Sequence, residues 1–207
     1  MTELFLSAFV TLLVIIDPPG CAPIFASLTR DCPPAERRMM ALRSVLIACG
    51  ILVFFGLLGE DLLEVLGVGL PAFRIAGGIM LFLIALEMVF ERRTARRESR
   101  AQEVNATPEI EDVSVFPMGI PMIAGPGSIA SVMLMVDQSE GLDQTLIVFA
   151  ALGAVLLLTL LALLAAGTLM RLLGHRMEAM LTRLLGVILA ALAAQFVING
   201  IKGAIAA

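Results

Sequence analysis

Tryptophan and tyrosine are absent from this 207-residue chain, histidine occurs once, and only 15% of the residues are charged. Each shortage excludes something. Without Trp and Tyr there is no aromatic belt at a membrane interface, so Phe and Arg must mark any boundary. Basic residues with interleaved aromatics are missing, which excludes nucleic acid as a partner. No phosphate-cradling loop is present, so no nucleotide partner and no direct ATP drive are expected within the chain. Cys21, Cys32 and Cys49 have no metal-ligand spacing, and their odd number argues against a disulfide framework. They read as small apolar filler. The opening Met1-Thr2-Glu3-Leu4 lacks a basic n-region, so the first apolar run is expected to remain in the mature protein.

What is abundant is apolar. Hydrophobic residues make up 59% of the chain and the mean hydropathy is +1.00, outside the range of soluble domains. A helix needs about 20 apolar residues to cross the hydrocarbon core. The pattern predicts six spans, at 4–28, 41–59, 70–90, 113–136, 145–170 and 181–203. Glu60 to Gly69 reads as a short amphipathic stretch at the interface, and Glu91 to Asp112 as a solvated, mobile cytoplasmic linker. Of the fourteen basic residues, all but Arg74 and Lys202 fall in the loops, or at the loop edges, between spans one and two, three and four, and five and six. That side is therefore cytoplasmic and both termini are exterior.

Two of the apolar runs are interrupted. The first carries Asp17-Pro18-Pro19-Gly20, and the second carries Pro121 and then Gly125-Pro126-Gly127-Ser128. Lipid offers no partner to freed backbone groups, so broken helices persist only where protein or water surrounds them. The two breaks lie at corresponding places. Phe9…Asp17-Pro18-Pro19-Gly20 overlays Phe116…Ala124-Gly125-Pro126-Gly127, and Arg74-Ile75-Ala76-Gly77 overlays Arg183-Leu184-Leu185-Gly186. Each half then has three spans, and an odd number forces the second half to run upside down. The expectation is an all-α membrane protein of two inverted three-helix repeats, 1–90 and 113–207, joined by the linker 91–112, with spans one and four discontinuous.

The breaks carry chemistry. An uncompensated aspartate at membrane depth costs on the order of 2.5–3.5 kcal/mol on insertion scales. Asp before Pro-Pro is a helix start, with Asp17 as N-cap, Pro18 first in the helix and the Gly20 N–H within reach of the carboxylate. At the second break, the N–H groups of Gly127 and Ser128 and the positive end of the helix dipole form a seat for a carboxylate. Freed carbonyls and Asp17 can accept from an ammonium. A small zwitterion suits a site built from Asp17, Pro18, Pro19, Gly20, Cys21, Gly125, Pro126, Gly127 and Ser128, with ligand approaching the backbone at Gly20 and Gly127. The bland alternative is a pair of silent kinks.

Asp17-Pro18-Pro19-Gly20-Cys21-Ala22-Pro23-Ile24-Phe25 resembles the Asn/Asp-Pro-x-Gly-x-x-Pro-x-Phe motif of the MarC family. Pro121 to Ser128 resembles that family's second signature, and Arg74-Ile75-Ala76-Gly77-Gly78 its third-span motif. The resemblance covers essentially the whole chain and is weakest over Glu91 to Asp112. It implies a six-span inner-membrane protein, similar to transporters of small neutral amino acids such as alanine and glycine, with the discontinuous-helix motifs on Asp17 to Pro23 and Pro121 to Ser128.

Other polar residues are candidates of a second kind. Arg74 and Arg183 hold matching positions and read as snorkelling anchors or as gate and counter-charge residues, with Glu60 or Asp61 as partners. Gln195 and Asn199 share a face of the last span and could reach substrate or bond a neighbouring helix. The leading function is a secondary transporter without cofactor, exchanging its substrate or coupled to H⁺ or Na⁺, as a monomer or a homo-oligomer. An exporter or channel for another small solute, including toxic compounds, is the alternative. An intramembrane enzyme is disfavoured, because the lone His175 sits in a cytoplasmic loop, out of reach of Ser128. The arginine asymmetry makes a direct prediction. A C-terminal phosphatase fusion is expected to be active and a green fluorescent fusion dark, and the reverse pattern would overturn the orientation.

Overall fold

A computed structural model describes residues 1–92, 96–99 and 112–206, with the backbone alone at 169–176, 178 and 206. The described residues are mostly helical and include no strand, in the order α1 (Thr2–Ile16), α2 (Pro18–Leu28), α3 (Pro34–Val65), α4 (Leu70–Val89), α5 (Ser114–Ile123), α6 (Pro126–Asp137), α7 (Leu142–Leu164) and α8 (Ala166–Ala206). Five stretches are long and apolar enough to cross a membrane, and the bent pair of α5 and α6 makes a sixth when taken as one.

Several boundaries differ from the sequence reading, most of them because helical pairing continues through polar residues. Glu60 to Val65 extends α3 instead of forming a separate interfacial stretch. The fifth span ends at Leu164 rather than near residue 170. Residues 171–180, read as a loop, belong to the unbroken α8, of which Ala179–Ile205 is the apolar part. The side chains of Arg171, His175 and Arg176, and residues 93–95 and 100–111 of the linker, lie outside the described residues.

The apolar residues form two buried clusters. One joins Leu12 and Ile16 of α1, Phe25 of α2, Leu52 of α3, Met118 of α5, Val132 of α6 and Leu152 of α7. The other joins Val14 and Ile15 of α1, Leu81 and Met88 of α4, Leu134 of α6, and Leu189 and Ala193 of α8. α1 and α6 contribute to both and form the middle of the molecule, with α3 and α7 on one side and α4 and most of α8 on the other. Packing is reciprocal. α7 lies against α1 and α2, while α3 lies against α5 and α6. The outer faces, including Leu46, Phe54 and Leu57 of α3, Phe82 of α4, Leu157 of α7 and Val187 of α8, are exposed and apolar, as a lipid solvent requires.

The most extensive pairing is α4 with α8. A Cβ built on Gly78 would lie 2.9 Å from the Ala193 carbonyl oxygen, and one on Gly200 2.9 Å from that of Pro71. One on Gly186 would meet the Met88 Cβ at 2.9 Å. Early α4 thus meets late α8 and late α4 meets early α8, so the helices are antiparallel and touch backbone to backbone. Lipid tails are as apolar as leucine, so membrane helices associate through close packing of this kind. Gly78→Ala is expected to cost about 1–3 kcal/mol through overpacking against rigid backbone. Gly153, whose Cβ would meet nothing within 4 Å, is the control: its alanine variant should be neutral or gain up to about 1 kcal/mol of helix propensity. Thermal unfolding in detergent would separate the two.

Candidate functional site

The first break turns on one residue. α1 ends at Ile16, Asp17 adopts the left-handed conformation (φ 58°, ψ 65°), and Pro18 and Pro19 open α2. Neither proline has an N–H to continue the ladder, so the helix cannot run through. The Gly20 N–H, which would bond back along α1, instead donates to the Asp17 carboxylate at 3.1 Å. The Cys21 thiol lies 3.4 Å from the freed Ile16 carbonyl. Asp17 is therefore the N-cap, as its sequence context indicates. Aspartate suits the position twice, since its short polar side chain both caps and tolerates the left-handed region.

The second break is broader than its Gly-Pro-Gly centre. α5 is a wide, loosened helix in which Met118 donates to Val113 and Ala124 to Gly119, five residues back in each case. Phe116 and Ile120 are extended within it, at ψ 129° and 127°. Both precede a proline, whose ring clashes with a helical predecessor. The bend between α5 and α6 is 54°. α6 then starts at Pro126, and the Ser128 hydroxyl donates to the Ile123 carbonyl at 2.8 Å, which ties the new helix to the old segment. The Gly127 and Ser128 N–H groups have no intrahelical acceptor.

The start of α6 lines a cavity of about 370 Å³. Gly125, Pro126, Gly127 and Ser128 form one wall, apolar side chains including Ile15, Leu83 and Ile84 another, and Glu87, Arg96 and Arg97 a charged part. The volume is at the small end of ligand sites. Arg97 is the residue that sequence reasoning missed. It lies in the segment read as solvated linker, yet its guanidinium is about nine-tenths buried and contacts Asp17 at 3.2 Å. Residues 96–99 are helical, and Arg96 pairs with Glu87 of α4 at 2.6 Å beside the cavity. The chain turns back toward the break just after α4, where Glu91 takes φ 58°. One signal pointed this way: a buried carboxylate needs a countercharge, and no spanning segment near it supplies one.

The remaining candidates fall elsewhere. Gly20 does not face open space. A Cβ there would lie 2.2 Å from the Asp17 carboxylate and 3.0 Å from Arg97, so the close approach it permits is to that ion pair and not to a ligand. At Gly127 the nearest obstacle is the flexible tip of Ile84 at 2.6 Å. Gln195 is exposed on α8 and donates to Asn199 at 2.8 Å within its own helix, away from the cavity. Arg74 pairs with Asp137 at the end of α6, its Nε 3.0 Å away, rather than with Glu60 or Asp61. Arg183 pairs with Glu91 at the other end of α4. These two pairs tie helix ends together outside the cavity. Asp112, at the foot of α5, accepts from the Ser114 N–H at 2.9 Å and from Arg43 at 3.0 Å. Its bonds from Ser114, and then Arg43, hold its carboxyl below the usual range.

A helical protein with five or six apolar spans and an apolar outer surface is an integral membrane protein. Residues 2–205 match the family described as MarC family integral membrane protein. A UPF0056 membrane protein of Methanocaldococcus jannaschii is 37% identical over 203 residues, covering 98% of each chain. The UPF0056 membrane protein YvbG of Bacillus subtilis is 32% identical over 98% of this chain and 96% of its own. The UPF0056 inner membrane protein YhgN of Escherichia coli is 36% identical over 64% of each. No solved structure matches. The chain belongs to the MarC family.

The geometry of the first break ranks substitutions. Asp17→Asn keeps the cap but takes the carboxylate from Arg97, at a cost of up to about 3–5 kcal/mol if the guanidinium stays buried and less if its segment swings out to solvent. Asp17→Ala also loses the cap, about 1 kcal/mol, and adds roughly 1–2 kcal/mol for alanine in the left-handed region. Adding Arg97→Gln to Asp17→Asn should restore part of the loss. Unfolding midpoints in detergent would check this, and a double variant weaker than Asp17→Asn alone would contradict the pairing.

Proposed function

We propose that this protein is a secondary transporter of small neutral amino acids, alanine or glycine in size. Its substrate is a zwitterion held between the two breaks near the membrane midplane. The observation that carries this reading is the cavity at the N-terminus of α6. Free N–H groups on a discontinuous helix, at the positive end of its dipole, are a carboxylate seat. The first break supplies the complementary charge in Asp17, and the limited volume favours small side chains.

The inverted arrangement of halves is part of the same proposal. Reciprocal packing, α7 on α1–α2 and α3 on α5–α6, together with an antiparallel α4–α8 pair, is what a two-fold axis in the membrane plane would produce. Each half can then rock about the breaks, with Arg-rich loops cytoplasmic and both termini exterior. No covalent step is assigned. The Ser128 hydroxyl serves as a tie to Ile123, and the route needs no resident cofactor, only exchange or a gradient of H⁺ or Na⁺. The apolar wall at Ile15 and Ile84 supports a second reading, an exporter or channel for a less polar small solute.

Uptake of radiolabelled alanine and glycine into proteoliposomes, with imposed pH and Na⁺ gradients, tests the reading. Saturable uptake is expected, and Gly127→Ala should elute normally in detergent yet lose about tenfold or more of it, because the added methyl narrows the carboxylate seat. Undiminished uptake by Gly127→Ala would favour a silent kink. An absence of amino acid uptake, with passage of apolar solutes, would favour the second reading.

A further inference from the structure

Asp17 does not itself line the cavity. Arg97 does, and its guanidinium covers the carboxylate. The residue best suited to hold a substrate's ammonium is thus already occupied by a cation of the protein's own. Three features distinguish this pair from a permanent counter-ion. Arg97 comes from a short helical segment outside the spanning helices, 80 residues along the chain from Asp17. The contact is a single one of 3.2 Å, long for a charge-assisted bond and not the two-pronged grip that arginine makes on a carboxylate. And the segment is secured to α4 by the partly exposed Arg96–Glu87 pair, of a kind worth only about 0–1 kcal/mol.

Gly20 completes the arrangement. With no side chain it leaves room beside the Asp17 carboxylate, and a Cβ there would stand 3.0 Å from the Arg97 guanidinium nitrogen. Asp17 keeps its cap to the Gly20 N–H and the positive end of α2 when Arg97 leaves, so the carboxylate is not stranded in the interval.

We propose that Arg97 is a tethered competitor for the substrate's ammonium group. With Arg97 on Asp17 the site is closed, and substrate binds when the segment 96–99 withdraws and the ammonium takes its place. This rests on the cavity being the substrate site. Affinity is then lowered by the fraction of molecules in which Arg97 occupies Asp17.

Two measurements test it, and only one needs transport. In a chain with Cys21, Cys32 and Cys49 replaced by alanine, a single cysteine at Ile15→Cys reports access to the cavity wall. Its reaction with a water-soluble methanethiosulfonate reagent should accelerate at least tenfold on adding Arg97→Gln. Glu87→Gln, which frees Arg96 without touching Asp17, should give a smaller acceleration and decides the matter should Arg97→Gln not fold. An unchanged labelling rate in folded protein would overturn the proposal. In proteoliposomes Arg97→Gln should lower the KM for alanine, by about tenfold if the competent fraction rises from a tenth to unity. A raised or unchanged KM would instead make Arg97 a ligand of the substrate carboxylate or a fixed counter-ion, and would equally overturn it. Faster labelling without alanine uptake would keep Arg97 as the group that closes the site but overturn both its competition with an ammonium and the amino acid reading.

Discussion

A carboxylate far inside an apolar bundle has to be compensated by the protein itself, and the centre of this molecule is organised around how Asp17 meets that demand. Two prolines stop α1 and free the Gly20 N–H, which turns to the carboxylate. The dipole of α2 adds its positive end, and Arg97 adds a full charge at 3.2 Å. None of these is available to an uninterrupted helix, whose N–H groups are all committed to its own ladder. The break and the buried charge therefore require each other. Removing the prolines would withdraw the cap, and removing the aspartate would leave the break without its first hydrogen bond.

The second break solves a related problem without a charge. Here two prolines and two glycines loosen the backbone over a full helical segment before α6 begins, and Ser128 rather than Asp17 ties the ends together. A hydroxyl donates where a carboxylate accepts, so the N–H groups of α6 are not consumed by their own cap. That asymmetry leaves one break closed by internal pairs and the other open to the cavity.

Around this centre the remaining helices act as a scaffold of two kinds. α3 and α7 hold the broken segments by side-chain packing, whereas α4 and α8 meet each other through glycines at near backbone contact. The second mode is unforgiving of added volume, which suits a pair whose register positions both Glu87 and the turn that carries Arg97. Ion pairs at opposite ends of α4, Arg74 with Asp137 and Arg183 with Glu91, fasten the same scaffold at its edges.

Local chemistry made much of this legible in the residues alone. Apolar length identifies spans, Pro-Pro after Asp implies a cap, and Gly-Pro-Gly implies a break, because each depends on neighbours a few positions away. The MarC resemblance follows from the same short motifs. Boundaries were less legible where polar residues continue a helix, as at Glu60–Val65 and through 171–180, since hydrogen bonding within the chain does not require an apolar face. What the sequence by itself determined is the membrane character, the two interruptions and the capping role of Asp17. Only the tertiary structure decided that Arg97 covers Asp17, that Gly20 faces that pair rather than a ligand, that Arg74 meets Asp137, and that Gln195 turns outward. The first three are contacts that involve segments distant in sequence, and the last depends on which face of α8 meets its neighbours; all are set by how helices cross, and no spacing along the chain encodes them.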